Sequence, residues 1–89
     1  MSLVSVITAT YNSSDFITET LDSIFNQTWE AVELIITDDN SLDDTVEVCR
    51  QWLNAKSSRF IRTELITSEV NTGVSGNANR GLMAARGKW

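Results

Sequence analysis

The sequence predicts an α/β fold, a three-layer sandwich with a mainly parallel sheet, and three observations carry that expectation. Two nearly continuous apolar runs, Leu3 to Ala9 and Val32 to Thr37, suit strands covered on both faces. Each run is followed by a segment whose apolar residues recur at helical spacing. Strand and helix signals then alternate as βαβαβα, the order of parallel strands joined by right-handed helical crossovers.

In order, Leu3 to Ala9 is the first strand, interrupted only by Ser5 and Thr8. Tyr11-Asn12-Ser13-Ser14 breaks it, and Ser14 is the expected N-cap of a first helix, with Asp15 in its first turn. Ile17, Leu21, Ile24 and Thr28 form its apolar stripe, and the helix is expected to end near Gln27. Val32 to Thr37 is the second strand. Ser41 and Asp44 resemble a capping box for a second helix from Leu42 to Asn54, with an inner face of Val46, Cys49 and Leu53. Asp43 and Asp44 read as first-turn acids. Arg59 to Thr67 is a third strand, suited to a sheet edge. Val74 or Ser75 opens a third helix, Ala78, Leu82 and Ala85 share its face, and Gly87 stands where a C′ residue belongs. Lys88-Trp89 resembles the approach to a further strand, so residues 1–89 are expected to be one unit cut from something larger.

Composition removes several function classes. With 89 residues, 42% hydrophobic and 21% charged, the chain suits one small folded domain rather than a disordered one. Its longest apolar run is Leu82 to Ala85, far short of the ~20 residues of a membrane span. The N-terminus carries no secretory signal, which predicts a cytoplasmic protein, with peripheral membrane contact left open for the intact protein. One cysteine and no histidine exclude disulfide frameworks, His/Cys zinc sites and Ser–His–Asp chemistry. Cys49 reads as a small core hydrophobe. Residues 1–49 hold ten acids and no Lys or Arg, which argues against a nucleic-acid-binding face.

In parallel α/β sheets, ligands bind beyond the carboxyl ends of the strands. The candidates are therefore Thr8-Ala9-Thr10-Tyr11-Asn12, Asp38-Asp39-Asn40-Ser41 and Thr72-Gly73-Val74-Ser75. Tyr11 either offers a ring face for stacking a base or covers a helix start. Asp38 and Asp39, adjacent on an extended chain, point apart. One can accept a base N–H or ribose hydroxyls, or both can serve the turn. Arg80 either forks onto a diphosphate or is a solvated helix residue. A diverging pair of carboxylates supplies too few ligands for Mn²⁺ or Mg²⁺, so no metal site is expected in this chain alone.

At these residues the sequence resembles family 2 glycosyltransferases of the GT-A fold. The likeness runs through Val4-Ser5-Val6-Ile7, Tyr11-Asn12, Thr20-Leu21-Asp22-Ser23-Ile24, Gln27-Thr28, Asp38-Asp39-Asn40-Ser41 and Asp43-Asp44-Thr45. It continues through Asn71-Thr72-Gly73-Val74-Ser75, Asn79-Arg80-Gly81 and Ala85-Arg86-Gly87. The resemblance implies the Rossmann-like, nucleotide-binding N-terminal half of a nucleotide-diphospho-sugar transferase. The implied enzyme is inverting and moves a sugar from a nucleotide sugar, a UDP sugar by expectation, to a hydroxyl of a glycan or lipid-linked acceptor. It also implies that Tyr11 stacks on the base, Thr8 and Ala9 line the pocket, and Asp39 bonds the uracil ring with Asp38 in support. The arginine that often precedes Asn79 in the family is Ala78 here, so its phosphate contact is lost or passes to Arg80. The family's Asp-x-Asp metal motif and catalytic base would follow Trp89. No catalytic residue is therefore expected within the chain, and the divalent cation belongs to the intact enzyme.

Two other readings compete. A dinucleotide-binding oxidoreductase would place an acid after the second strand, but Thr8 to Asn12 contains no glycine for close pyrophosphate approach. A receiver-like interaction domain would need acids after the first strand and an Asp after the third. Finally, a fragment with an uncovered sheet edge is expected to self-associate, with Trp89 as one contact.

Overall fold

The computed structural model describes residues 2–87, the side chains of Val74 and Ser75 excepted. The expected strand at Lys88-Trp89 and the contact assigned to Trp89 lie outside the described residues.

The Val- and Ile-rich segments form β1 (Val4–Thr10) and β2 (Val32–Asp38), and a third strand is β3 (Arg62–Thr67). Between and after them run α1 (Ile17–Phe25), α2 (Thr45–Lys56) and α3 (Gly73–Ala84), with a 3-10 turn at Ser57–Arg59. The strands are parallel in the order β1-β2-β3. Val4 stands opposite Val32 and Thr10 opposite Asp38, while Glu33 stands opposite Arg62. All seven residues of β2 are buried, as a central strand covered on both faces requires.

Alternation along β2 sorts its side chains between two layers. Leu34 and Ile36 join Ile17, Leu21, Cys49, Trp52 and Phe60 in the hydrophobic core beneath α1 and α2. Each such buried aliphatic side chain contributes ~1.5–3 kcal/mol. The Trp52 ring lies edge-on to Phe25 and tilted against Phe60, with centroids 6.2 and 6.0 Å away. On the other face α3 packs on β1 and β2. Gly81 makes this close approach possible, because a Cβ there would stand 2.3 Å from Ile7 Cγ2.

The helix starts depart from expectation for one reason. Short polar residues that resemble caps bond between loops instead. Ser14 does not cap α1; its hydroxyl donates to Asp43 Oδ2 at 2.9 Å, and α1 begins only at Ile17. Ser41 and Asp44 form no capping box; Ser41 donates to Asp38, and α2 begins at Thr45 without a side-chain cap. Asp43 thus lies in the connection, not in the first turn. The fully buried positions of α2 are Thr45, Cys49 and Trp52, with Val46 and Leu53 only partly covered.

The other ends shift similarly. Thr28 lies beyond α1 and is exposed. Arg59 is not in β3; its guanidinium donates to the carbonyls of Phe25 and Gln27 at the end of α1. Gly87 is not a C′ residue, because α3 already ends at Ala84 and Ala85 is extended. Gly87 instead donates its N–H to Ser5 Oγ at 2.8 Å.

Candidate functional site

A parallel sheet gathers the loops after its strands at one edge. Here the loops after β1 and β2 are laced together. The Asn12 N–H donates to Ser41 Oγ at 2.9 Å, and Asn12 Oδ1 accepts the Leu42 N–H at 2.7 Å. The Ser13 N–H donates to Thr45 Oγ1 at 2.7 Å. Asn12 and Asn40 hold positive φ angles of 48° and 63° at these bends, a conformation asparagine tolerates better than most residues. Asp43 accepts from the hydroxyl and N–H of Thr45 and from both Ser14 donors. Led by the Thr45 hydroxyl, these bonds outweigh partial desolvation and hold Asp43 at about 2.

Beside this lacing opens a cleft of about 500 Å³ on the α3 side of the carboxyl edge. It brings together Ala9, Tyr11 and Asp39, three of the residues singled out from sequence. Tyr11 is 46% exposed, so its ring is available to a ligand. Thr8 does not line the cleft. Alternation puts it on the same face of β1 as Val6, which packs against the α1/α2 core.

Asp38 and Asp39 diverge as neighbours on a strand must. Asp38 turns to the α1/α2 side, where Oδ1 accepts from the hydroxyls of Thr10 at 2.7 Å and Ser41 at 2.6 Å. Asp39 turns to the cleft. Its Oδ1 accepts from the Thr72 N–H and hydroxyl, both at 2.8 Å, and from Arg80 Nη2 at 3.1 Å. Its Oδ2 accepts from the Gly73 N–H at 2.9 Å, its one donor among the described residues. Oδ1 is therefore filled, while Oδ2 keeps acceptor capacity at the cleft. Burial alone would raise the Asp39 pKa, but the bonds from Thr72, Arg80 and Gly73 overcome it and bring it down to about 2. Asp39 is thus an ionised, acceptor-only group at neutral pH.

Arg80 is neither a solvated helix residue nor a fork facing the cleft. It donates to Thr72 Oγ1 at 2.8 Å, to Asp39 at 3.1 Å and to Asn77 Oδ1 at 3.0 Å. In this arrangement it braces the acidic wall.

The cleft also takes Thr10 and Gly73, which belong to the candidate segments after β1 and β3, and Ser13, Asn71 and Asn77, which lie outside those segments. Asn77 is a polar residue buried where α3 packs on the sheet, a position that no local sequence pattern marks. Gly73, at φ 80°, is where the chain turns left-handed into α3, and its N–H donates to Asp39.

The donor set does not fit a divalent cation. Asp38 and Asp39 face opposite sides and are mostly occupied by hydroxyl and N–H donors. Among the described residues no three acidic or cysteine side chains converge. Among these residues, too, no helix is long and apolar enough to cross a membrane.

The fold is that of the N-terminal part of GT-A glycosyltransferases. A mannosyltransferase from Pyrobaculum calidifontis, in complex with GDP-Man and Mn²⁺, superposes with a TM-score of 0.89 at 28% identity, over 97% of this chain and 25% of that one. TarS of S. aureus gives 0.81 at 32% identity, over 96% and 25%. The chain belongs to glycosyl transferase family 2, whose family model matches residues 5–89. Among its relatives is WfaP of Escherichia coli, a UDP-Glc:alpha-D-GlcNAc-diphosphoundecaprenol beta-1,3-glucosyltransferase. It is 38% identical over all of this chain and 33% of its own length. TuaG of Bacillus subtilis, a putative teichuronic acid biosynthesis glycosyltransferase, is 34% identical over 98% of this chain and 33% of its own length. The chain thus spans a third or less of these proteins.

Proposed function

We propose that this chain forms the donor-nucleotide portion of an inverting glycosyltransferase. That enzyme passes a sugar from a UDP sugar to an acceptor hydroxyl in glycan or polysaccharide assembly. The observation that carries this reading is the spare acceptor position of an ionised Asp39 beside the exposed Tyr11 ring, in a cleft at the carboxyl edge of a parallel sheet. Tyr11 would stack on the base and Asp39 would accept its ring N–H. Ala9 would form the floor, and Asp38 and Arg80 would hold the walls. WfaP, with UDP-Glc as donor and an undecaprenol-linked acceptor, supports the choice of UDP and of a lipid-linked or glycan acceptor. The divalent cation and catalytic base of the whole enzyme would come from residues outside this stretch, which we assign to the N-terminal part of a larger domain. Without that partner half, the chain would associate with a second copy through its uncovered surface.

Titration calorimetry with millimolar UDP tests the reading. Tyr11→Ala and Asp39→Asn are each expected to weaken binding about tenfold, from lost stacking and a lost charged hydrogen bond. Equal heats from the chain and both variants would refute it.

A further inference from the structure

Asn77 is 3% exposed, in the helix that packs on β1 and β2, and it lines the cleft. Burying a carboxamide between a helix and a sheet is costly unless both of its ends are bonded. Here both are. Nδ2 donates to the Thr10 carbonyl at 3.2 Å, and Oδ1 accepts from Arg80 Nη2 at 3.0 Å. The reverse orientation would fail at both ends, because a carbonyl only accepts and a guanidinium only donates. The Thr10 carbonyl is the oxygen of the peptide that leads into Tyr11. It also accepts the Asp39 N–H at 3.0 Å, so both of its lone pairs are occupied. Arg80 in turn bonds Asp39 Oδ1 and Thr72 Oγ1. One planar amide thus joins the end of β1, which carries the Tyr11 ring, to the guanidinium that holds the Asp39 carboxylate.

We infer that Asn77 is a positioning residue: it fixes the Thr10–Tyr11 peptide against α3 and so sets the Tyr11 ring relative to Asp39. This rests on the nucleotide reading above and adds to it the part that registers the two contacts. β1 ends at Thr10, and Asn12 already bends away at a φ of 48°. The Tyr11 ring between them is 46% exposed, so its direction is set by the backbone behind it. A ligand that must stack and hydrogen-bond at once gains from both contacts only when their spacing is fixed beforehand. An apolar side chain at position 77 could fill space under α3 but could make neither bond.

The test is a double-mutant cycle read by calorimetry of the full chain with UDP. Asn77→Asp keeps an oxygen for Arg80 but removes the donor to Thr10. It should weaken UDP about fivefold in the wild-type background and less than about twofold in the Tyr11→Ala background. Asn77→Leu adds no charge and loses both bonds, and it should weaken UDP at least as much as Asn77→Asp. A residue that only packs would leave Asn77→Leu with wild-type affinity. Amide spectra of α1 and α2 show whether each variant keeps the fold. Three results would overturn this inference alone, with Tyr11 and Asp39 still required for UDP. They are wild-type affinity in both Asn77 variants, an equal loss from Asn77→Asp with and without the Tyr11 ring, and unfolding of both variants, which would make Asn77 a residue of stability. No binding of UDP by the wild-type chain would overturn the nucleotide reading and this inference with it.

Discussion

The two faces of β2 are built on opposite principles. Leu34 and Ile36 look into a core of aliphatic and aromatic side chains, closed by Trp52 and Phe60. Glu33 and Thr37 look the other way, flanking the buried Ile35 in a layer held also by hydrogen bonds and by close backbone approach at Gly81. Glu33 is fully buried; it accepts from Ser5 Oγ at 2.7 Å, from the Arg86 N–H at 2.7 Å and from Arg62. Burial works to raise the Glu33 pKa, yet the Arg86 N–H, the Ser5 hydroxyl and Arg62 together keep it below its usual value. The same polar layer leaves Thr37 Oγ1 and Arg80 Nε buried without partners among the described residues. Apolar packing tolerates small errors in geometry, whereas directional bonds do not. The cleft opens on the polar side, where positions are fixed most closely.

Substitutions can break this contrast, and the largest effect belongs to the apolar face. Trp52→Ala removes the ring between Phe25 and Phe60 and is expected to cost about 4 kcal/mol, leaving little stability at this chain length. Urea denaturation should show it, and a loss below 1 kcal/mol would mean the core lies elsewhere. Next comes Glu33→Ala on the polar face. It strands the Ser5 hydroxyl and the Arg86 N–H and is expected to cost about 3 kcal/mol, somewhat moderated because Arg62 keeps Glu64. Exchange of the Arg86 and Gly87 amides should accelerate beyond that of α1. Gly81→Ala forces α3 away from Ile7 and is expected to cost about 2 kcal/mol by overpacking. An unchanged midpoint would show that α3 can shift freely.

The smallest effect separates the faces by pH. The Asp39 pKa is lowered to about 2 in the folded chain, so its contribution is complete above the usual carboxylate value of about 4. It fades as pH falls towards 2. Asp39→Asn should flatten that part of the acid limb while leaving the Trp52 emission of the apolar core unchanged. An acid limb identical to the wild type's would show that Asp39 is not held by Thr72, Gly73 and Arg80.

The sequence made the sheet legible because apolar runs have few alternatives. β1 and β2 appear within a residue of their expected limits, and Cys49 is the inert core residue expected, its thiol pushed up to about 11 by burial and by the nearby Asp38. Helix starts were hidden because Ser14, Ser41 and Asp43 are chemically able both to cap a helix and to join two loops. Only the three-dimensional arrangement chooses between those uses. Glu33 was hidden inside an apolar run, since partners 28 and 53 residues away leave no local trace. In the site, the acid and the ring were readable from their place after strands. Asn71 and Asn77 were not, because their roles depend on Gly73 and on Arg80, neighbours set by loop and helix geometry.

The bond between Gly87 and Ser5 joins residues 82 positions apart. On a ribosome adding ~5–20 residues per second, Ser5 and Glu33 emerge seconds before the amides that complete their hydrogen bonding. During that interval α1, α2 and the apolar face of the sheet can already assemble, since their contacts lie earlier in the chain. The nascent protein thus carries a half-built polar layer, with Glu33 hydrated or held by Arg62, until α3 and the segment behind it arrive. Closure of the cleft wall follows synthesis of α1, α2 and β2, and a ribosome pause before Gly73 would leave Asp39 without its Thr72, Gly73 and Arg80 partners.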